Sequence, residues 1–327
     1  MTTQTTAKPA FKYSHTIGNA AAGGQVGFRH PVDVAVAPGG LLYVLNNSYE
    51  FQEDGKWVVR CNITEDYLGK FGSNGTADGQ FVWPNAIAVD RQGNVFVTDE
   101  YLHRISTFDP EGNFLFQWGA LGDEDGQWER PAGIVFDRDN NLLVADSFNH
   151  RIQKFTPEGR FLGKWGGLGT GEGQFNTPWG ITLDRQGNVY VADWRNDRIQ
   201  EFDPNGQFLM RLGASGSGDG QFNRPTGVAV DREGLIYVVD SGNDRVQVFD
   251  GQGRYITQFL GDAGMSKWGR DRLASNPESM LDLRAKARSM AAEQRFYQPV
   301  GIETDDQGHI LVAESGRHRL QIYQKVS

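Results

Sequence analysis

The chain has 327 residues, of which 38% are hydrophobic and 22% are charged, and this balance excludes disorder along its whole length. Its formal net charge of −9 argues against the basic surface that nucleic-acid-binding domains usually carry. The single cysteine, Cys61, excludes an internal disulfide, and the lack of a signal-like segment or an apolar run of roughly 18 residues predicts a soluble, cytoplasmic protein without a membrane span.

The predicted elements in chain order begin with a strand over residues 11–18, FKYSHTIG, whose sequence is like that of FLFQWG at 114–119. A longer phrase then recurs six times: a proline, a short apolar run, a turn with Gly or Asn, and a second apolar run that ends in a polar residue. The spacings between the opening prolines are 53, 47, 47, 47 and 74 residues, so two units carry insertions. These prolines are Pro31, Pro84, Pro131, Pro178, Pro225 and Pro299.

Each unit is predicted to form four strands. In the unit that begins at Pro178 they are GITLD, NVYVAD, RIQEF and FLMRLG, separated by turns that use Gly, Asn and Asp. One such sheet cannot bury both faces, whereas six sheets around an axis bury each face against a neighbour. The sequence therefore predicts an all-β, six-bladed β-propeller, as one domain over residues 1–327. Because the last unit stops after its third strand, residues 11–18 are expected to complete blade six and close the ring.

The two insertions fall on the face where the links between blades run, which is the top face of a propeller. The first lies around Glu50 to Lys56, and the second lies within residues 262–297, between blades five and six. In the second, Asn276-Pro277-Glu278 is a typical helix start. We expect a helical lid over one sector of the top face, with a brace or a docking surface for another protein as alternatives. The apolar stripe of this helix is Met280, Leu281, Leu283, Ala287, Met290 and Ala291.

Departures from the repeat on the top face indicate candidate site residues. Ser or Gly usually follows the polar residue that ends the second strand, but two blades carry Glu100-Tyr101 and Trp194-Arg195 there. His30, directly before an opening proline, is a further acid–base candidate. The candidate catalytic residues are Tyr101, Arg195, Glu100 and His30, and the candidate substrate contacts are Trp179, Trp194, Asn85, Trp83 and Phe148.

Other repeated polar residues are predicted to be structural. An acidic residue ends most second strands and an arginine follows five positions later, as in Asp146 and Arg151, which predicts an ion pair inside each blade. Three histidines precede that arginine, but Asp197 and Asp244 fill the same position in other blades. A polar role in the loop is therefore favoured over a zinc site for His103, His150 and His318.

Residues 220–250, GQFNRPTGVAVDREGLIYVVDSGNDRVQVFD, resemble an NHL repeat, and copies cover nearly the whole chain. This resemblance implies a six-bladed propeller, but the families that share the repeat include enzymes, RNA binders and protein-interaction scaffolds. Among the enzymes, the peptidyl-hydroxyglycine amidating lyase has a catalytic tyrosine at the position of Tyr101 and an arginine near that of Arg195. That family also binds zinc through histidines directly after the opening prolines. This sequence has no histidine there, so we expect no zinc.

Gluconolactonase-like propellers, which are related, hold a divalent ion near the axis on Glu, Asn and Asp side chains. Asn85, Asp33 and Glu303 are the polar residues in otherwise small or apolar first strands, so calcium is the one cofactor that the resemblance implies, and none is otherwise expected.

Two functions remain open. The first is a lyase or hydrolase that binds a small anionic molecule in a top-face pocket under the lid. The second is a non-catalytic scaffold that presents its top face to a protein partner, and nucleic acid is the least favoured partner.

Overall fold

The structure is a computed structural model that describes residues 9–20, 26–48, 55–275 and 290–326. These residues form six four-stranded antiparallel sheets and one short two-stranded pair. We number the sheets as blades one to six by the position of their first strand in the chain. The architecture confirms the all-β, six-bladed propeller that the repeat predicted.

The chain enters the ring with strand β1 (Ala10–Ile17) and then forms blades one and two. Blade one comprises β2 (Pro31–Val36), β3 (Leu41–Asn47), β4 (Lys56–Asn62) and β5 (Tyr67–Phe71). A short parallel pair, β6 (Ser73–Asn74) and β7 (Gln80–Phe81), links it to the next blade. Blade two comprises β8 (Pro84–Val89), β9 (Val95–Asp99), β10 (Arg104–Phe108) and β11 (Phe114–Trp118).

Blades three to five are the most regular part of the ring. Blade three comprises β12 (Pro131–Phe136), β13 (Leu142–Asp146), β14 (Arg151–Phe155) and β15 (Phe161–Gly166). Blade four comprises β16 (Pro178–Leu183), β17 (Val189–Asp193), β18 (Arg198–Phe202) and β19 (Phe208–Leu212). Blade five comprises β20 (Pro225–Val230), β21 (Ile236–Asp240), β22 (Arg245–Phe249) and β23 (Tyr255–Phe259).

Blade six is built from both ends of the chain. Its strands β24 (Pro299–Thr304), β25 (His309–Glu314) and β26 (Arg319–Val326) are followed in the sheet by β1. The β1–β26 pairing runs from Ala10 opposite Val326 to Ile17 opposite Leu320. The prediction that the N-terminal strand closes the ring is therefore confirmed, and the edge that β26 would otherwise expose is covered.

Aromatic side chains fill the joints between neighbouring blades. Phe175, in the link before blade four, packs against Phe202 of β18 with ring centroids 5.4 Å apart, and the equivalent pair Phe222 and Phe249 lies 5.6 Å apart. The joint between blades six and one differs because Cys61 stands where the other third strands carry a phenylalanine or tyrosine. These joints hold most of the buried apolar surface and therefore set the position of each blade around the axis.

The predicted ion pairs are present in blades three to six. Arg151 contacts Asp146 at 2.7 Å, Arg198 contacts Asp193 at 2.8 Å, Arg245 contacts Asp240 at 2.7 Å, and Arg319 contacts Glu314 at 2.6 Å. The carboxylates are fully buried and also accept a backbone N–H from the approaching link, as Asp146 does from Glu129 at 2.8 Å. These groups therefore belong to the scaffold.

The histidines before the repeated arginine join one blade to the next. Nδ1 of His103 accepts the backbone N–H of Arg130 at 3.2 Å, and Nδ1 of His318 accepts that of His30 at 2.9 Å. Asp197 makes the same contact to Arg224 at 2.7 Å, which explains why Asp and His alternate at this position. We call this hydrogen bond the interblade latch. The five latches are formed by His103–Arg130, His150–Thr177, Asp197–Arg224, Asp244–Gln298 and His318–His30.

The described parts of the long insertion are two short helices, α1 (Lys267–Ser275) and α2 (Met290–Gln294). Trp268 of α1 is buried in the joint between blades six and one, and its indole N–H donates to the carbonyl oxygen of Glu65 at 2.6 Å. None of the helices in the described part of the chain is long and apolar enough to span a membrane. The predicted helix start at Asn276-Pro277-Glu278 and most of its apolar stripe lie outside the described residues, as do residues 50–54 of the first insertion.

Candidate functional site

A cavity of about 1200 Å³ lies on the propeller axis at the top face. It is lined by the first residues of the innermost strands, by the loops after the second strands, and by the links that precede the opening prolines. Seven of the predicted site residues line it: Tyr101, Glu100, Trp179, Trp194, Asn85, Trp83 and Asp33. The described residues of α1 and α2 are not part of this lining, and Trp268 of α1 is instead buried in the joint between blades six and one.

The wall formed by blades one and two is polar and largely buried. Glu100, which directly follows β9, is 6% exposed, and its carboxylate accepts a hydrogen bond from the side-chain amide of Asn85. Burial raises the pKa of Glu100 to about 7, against the opposing effects of Asn85 and the nearby Arg130 guanidinium. Asn47 lines the same wall at 2% exposure, and its Oδ1 has no hydrogen-bond partner among the described residues. A carboxyl group that is half protonated at neutral pH can donate or accept a proton.

Asp33 lies deeper along the axis. Small residues occupy its position in the other blades, where a Cβ on Gly301, for example, would lie 2.7 Å from the carbonyl oxygen of Val32. The Asp33 carboxylate instead reaches the next blade and accepts the N–H of Ile87 at 3.0 Å. Burial raises the pKa of Asp33 to about 7. Burial, with a smaller contribution from Asp33, likewise raises the pKa of Glu303 to about 7.

The predicted calcium ligands already contact other groups. Both oxygens of Asp33 accept backbone N–H groups, Oε1 of Glu303 accepts the N–H of Thr304 at 2.8 Å, and Asn85 donates to Glu100. Calcium takes six to eight oxygen ligands, usually with several carboxylates or carbonyls directed at one point. No group of three His, Cys, Asp or Glu side chains placed to hold a metal occurs within residues 9–20, 26–48, 55–275 and 290–326. Calcium at Asn85, Asp33 and Glu303 stays a prediction.

The wall formed by blade four is aromatic. Trp179 follows an opening proline and Trp194 follows the buried Asp193 of β17, and their rings lie 5.8 Å apart at an angle of 33°. Both indoles are half-buried and line the cavity. Neither belongs to one of the hydrophobic clusters that fill the joints between blades. A planar apolar surface of this kind binds the flat face of a ligand.

Two arginines at the cavity mouth, Arg130 and Arg224, were missed in the sequence analysis. Each directly precedes an opening proline and donates its backbone N–H to a latch. The side chains are exposed and line the cavity. The latch uses only the backbone N–H at this position, so the fold does not require an arginine side chain there. An arginine at this position could therefore have been selected as a candidate ligand contact.

Four predicted site residues are not part of the described lining of the cavity, namely His30, Arg195, Phe148 and the calcium candidate Glu303. The ring of His30 packs against that of His318, with centroids 4.4 Å apart. Arg195 is exposed, with its guanidinium 5.5 Å from the centre of the Trp194 ring, and Phe148 lies under the guanidinium of Arg130 at 4.7 Å. Phe148 and Arg195 therefore contact cavity residues without being part of the described lining.

Comparison with known protein families agrees with this architecture. The profile of the NHL repeat matches residues 222–249 and 296–323. The chain contains NHL repeats within a six-bladed propeller. The profile of the SMP-30/Gluconolactonase/LRE-like region matches residues 84–216, which form blades two to four of this NHL-repeat propeller and end in the link to blade five.

Curated relatives of the NHL-repeat propeller match over a short segment. The B-box type zinc finger protein ncl-1 of Caenorhabditis elegans is 49% identical over 51 residues, which cover 16% of this chain and 6% of that protein. Protein brain tumor of Drosophila melanogaster is 47% identical over 51 residues, which cover 16% of this chain and 5% of that protein. The match thus spans only a small fraction of these relatives.

Solved structures match along nearly the whole chain. A streptogramin B lyase structure superposes with a TM-score of 0.59 at 12% identity and covers 98% of both chains. A catalytically inactive virginiamycin B lyase from Staphylococcus aureus with quinupristin gives 0.59 at 11% identity, over 97% of this chain and 100% of that one. An auxiliary nutrient binding protein from Bacteroides thetaiotaomicron gives 0.64 at 11% identity, over 98% and 78%. At such identities the likeness establishes the propeller fold.

Proposed function

We propose that the axial cavity binds a small anionic molecule and that the protein acts on it as a lyase or hydrolase, with Glu100 as the group that moves the proton. The observation that carries the proposal is a buried carboxyl group with a pKa near 7 on the wall of a cavity whose mouth holds two arginines. The SMP-30/gluconolactonase-like region and the fold shared with streptogramin B lyases support the same reaction classes.

In the proposed reaction, the ionised form of Glu100 accepts a proton from the substrate, and the resulting acid returns it to the leaving group. Asn85 holds the Glu100 carboxylate in place. Tyr101, which is 65% exposed at the mouth, is the second candidate proton donor. Asn47 supplies an unfilled acceptor for a hydroxyl or amide N–H of the substrate. Arg130 and Arg224 replace Arg195 as the proposed anion-binding residues, because they line the cavity.

The test begins with a turnover screen of small carboxylates and phosphate esters, read by mass spectrometry. Glu100→Gln should lower kcat by a factor of about 100 or more, with a small change in KM, because the amide keeps the shape but carries no transferable proton. The matched control is Glu158→Gln, which removes an exposed carboxylate from the turn between β14 and β15. Wild-type turnover by Glu100→Gln would exclude Glu100 as the proton-transfer group.

The pH profile gives a second readout. Because the ionised form of Glu100 starts the reaction, kcat/KM should rise with pH through a midpoint near 7. The Asn85 hydrogen bond lowers the pKa of Glu100, so Asn85→Leu should move the midpoint to higher pH. A midpoint that does not move would show that another group controls the profile.

The alternative function, a protein-interaction scaffold, is supported by exposed apolar side chains on the same face. Leu121 is 60% exposed and Leu168 is 65% exposed, at equivalent positions of two links. Leu168→Ser, which lies outside the described lining of the cavity, should keep turnover if the protein is an enzyme. If no substrate in the screen is consumed and this variant loses a co-purifying protein, the scaffold function replaces the enzyme.

A further inference from the structure

The cations in the lining of the axial cavity are Arg130 and Arg224, which occupy equivalent positions two units apart in the repeat. Their backbones have the same left-handed conformation, with φ of 54° and 53°. Each backbone N–H is fixed by a latch. The two side chains therefore leave the ring from equivalent places at the cavity mouth.

These two guanidinium groups are held by aromatic rings. The guanidinium of Arg130 lies 4.7 Å from the centre of the Phe148 ring, and that of Arg224 lies 5.2 Å from that of Trp194. The scaffold arginines, such as Arg151, are instead neutralised by a buried carboxylate. A ring under a guanidinium restrains it but leaves its in-plane N–H donors available. Neither Arg130 nor Arg224 forms an ion pair with a carboxylate in the part of the chain that the structure describes.

The aromatic rings that hold the two arginines belong to neighbouring blades. Arg130 precedes blade three and packs on Phe148 of that blade, whereas Arg224 precedes blade five and packs backward on Trp194 of blade four. Blades three and four are neighbours in the ring, so the two guanidinium groups are held by adjacent blades, and that of Arg130 is also near Glu100 of blade two. Glu129, an exposed carboxylate at the mouth, is next to Arg130 in sequence, and no contact within the ion-pair distance joins them in the described chain.

The acidic and basic side chains of the cavity lie at different depths. The carboxyl groups of Asp33 and Glu100 lie on the inner wall, and both arginines lie at the mouth. A ligand with its charge at one end is therefore oriented with that end outward and its reacting end toward Glu100. We infer that the ligand of the axial cavity is a dianion whose two negative charges are divided between Arg130 and Arg224. This inference rests on the proposed function, because it specifies the class of anion that the same site takes.

The test compares three aromatic compounds of matched shape, namely benzamide, benzoate and benzene-1,3-dicarboxylate, with the 1,4-isomer as a longer spacing. Binding is measured by calorimetry at low ionic strength and by quenching of tryptophan fluorescence, since Trp179 and Trp194 line the cavity. A dicarboxylate should bind about tenfold more tightly than benzoate, and benzoate more tightly than benzamide, because each step adds a charge-assisted contact.

Variants separate the two contacts. Arg130→Gln and Arg224→Gln should each reduce dicarboxylate affinity about tenfold, to the level of benzoate on the wild type, and the double variant should bind all three compounds equally weakly. Arg160→Gln is the control for net charge, because it removes an exposed arginine from a turn remote from the cavity. Retained melting temperatures show that the variants are folded.

The outcomes distinguish this inference from the function on which it rests. The inference of a dianionic ligand is overturned if benzoate and the dicarboxylates bind equally well, or if only one of the two arginine variants loses dicarboxylate affinity. The proposed function then remains, with a monoanionic substrate for Glu100. The absence of binding by every anion, together with no turnover in the metabolite screen, overturns both. A dicarboxylate preference that disappears in each single variant supports the inference, whether or not these compounds are turned over.

Discussion

The joint between blades three and four and the joint between blades six and one have the same packing but obtain it from different parts of the chain. In the first, Phe175 packs against Phe202 of the repeat itself, with centroids 5.4 Å apart. In the second, Phe28 meets Trp268 of the insertion at the same 5.4 Å, because Cys61 occupies the third-strand position. Trp268 also lies 6.1 Å from Tyr67, as Phe202 lies 6.2 Å from Phe208. Each joint thus requires a large ring at this point, and a residue far along the chain can supply it.

The largest effect is expected from deleting residues 1–18. The deletion removes β1, exposes the edge of β26 and takes Phe11 and Tyr13 away from the aromatic contacts of blades five and six. We expect aggregation or loss of the cooperative melting transition, measured by size-exclusion chromatography and calorimetry. Deletion of residues 1–8 alone, which leaves β1 intact, is the control. A monomeric product with an unchanged melting temperature would show that the ring holds without this strand.

A smaller effect is expected from emptying the irregular joint. Trp268→Ala removes a buried indole and should lower the free energy of unfolding by about 3–5 kcal/mol, as should Phe202→Ala in the regular joint. Combining Trp268→Ala with Cys61→Phe places the ring of the repeat where the other third strands carry it, and should restore part of the loss. Denaturant titrations measure all three. If Cys61→Phe gives no recovery, the insertion does more in this joint than replace a missing ring.

The smallest effect concerns the latch between blades six and one. Burial, with the nearby positive charges of His30 and Arg29, lowers the pKa of His318 to about 4, and its Nδ1 must be unprotonated to accept the His30 N–H. The imidazole has a pKa near 6.5 in the unfolded chain, so its contribution to stability is complete above about pH 6.5 and is lost as the pH falls toward about 4. Acid should therefore weaken this joint.

His318→Asp tests the latch, because Asp already performs this role in blades four and five. The variant should lose less stability than the wild type between about pH 7 and about pH 5, by about 1 kcal/mol for a partly exposed group. The comparison of the two proteins cancels the opposite effect of the buried carboxyls of Asp33, Glu100 and Glu303, which favour folding as the pH falls. Parallel pH dependences would mean that the latch does not titrate in this range.

The fold could be predicted from the sequence because the period of a repeat can be recognised without knowing how individual side chains pack. Three spacings of 47 residues define the blades, and the missing fourth strand of the last unit points to residues 11–18. The role of Trp268 could not be predicted. Cys61 lacks the aromatic ring that the other third strands carry, and only the position of the insertion beside blade one shows that Trp268 supplies this ring. Local patterns carry no information about which distant segment fills a gap.

The site was predictable where the repeat is broken by an unusual side chain, as at Glu100 and Trp194. It was not predictable where ordinary polar residues vary, and there Arg130 and Arg224 were overlooked while His30 was selected. Those three residues share one repeat position, and their different surroundings decide their roles. His30 packs against His318, whereas the arginines extend over aromatic rings at the mouth. Such distinctions depend on contacts between blades, which the sequence of one unit does not contain.

The latch has a consequence for how the protein can change. At five of the six links it engages only the backbone amide of the residue before the opening proline, so it places no demand on the exposed side chains at positions 130, 224 and 298. Substitutions there should leave the scaffold intact while altering what the cavity mouth offers to a ligand. A combinatorial library at positions 130, 224 and 298 would therefore explore new specificities on an unaltered framework, and the present combination of Arg, Arg and Gln is one choice among many.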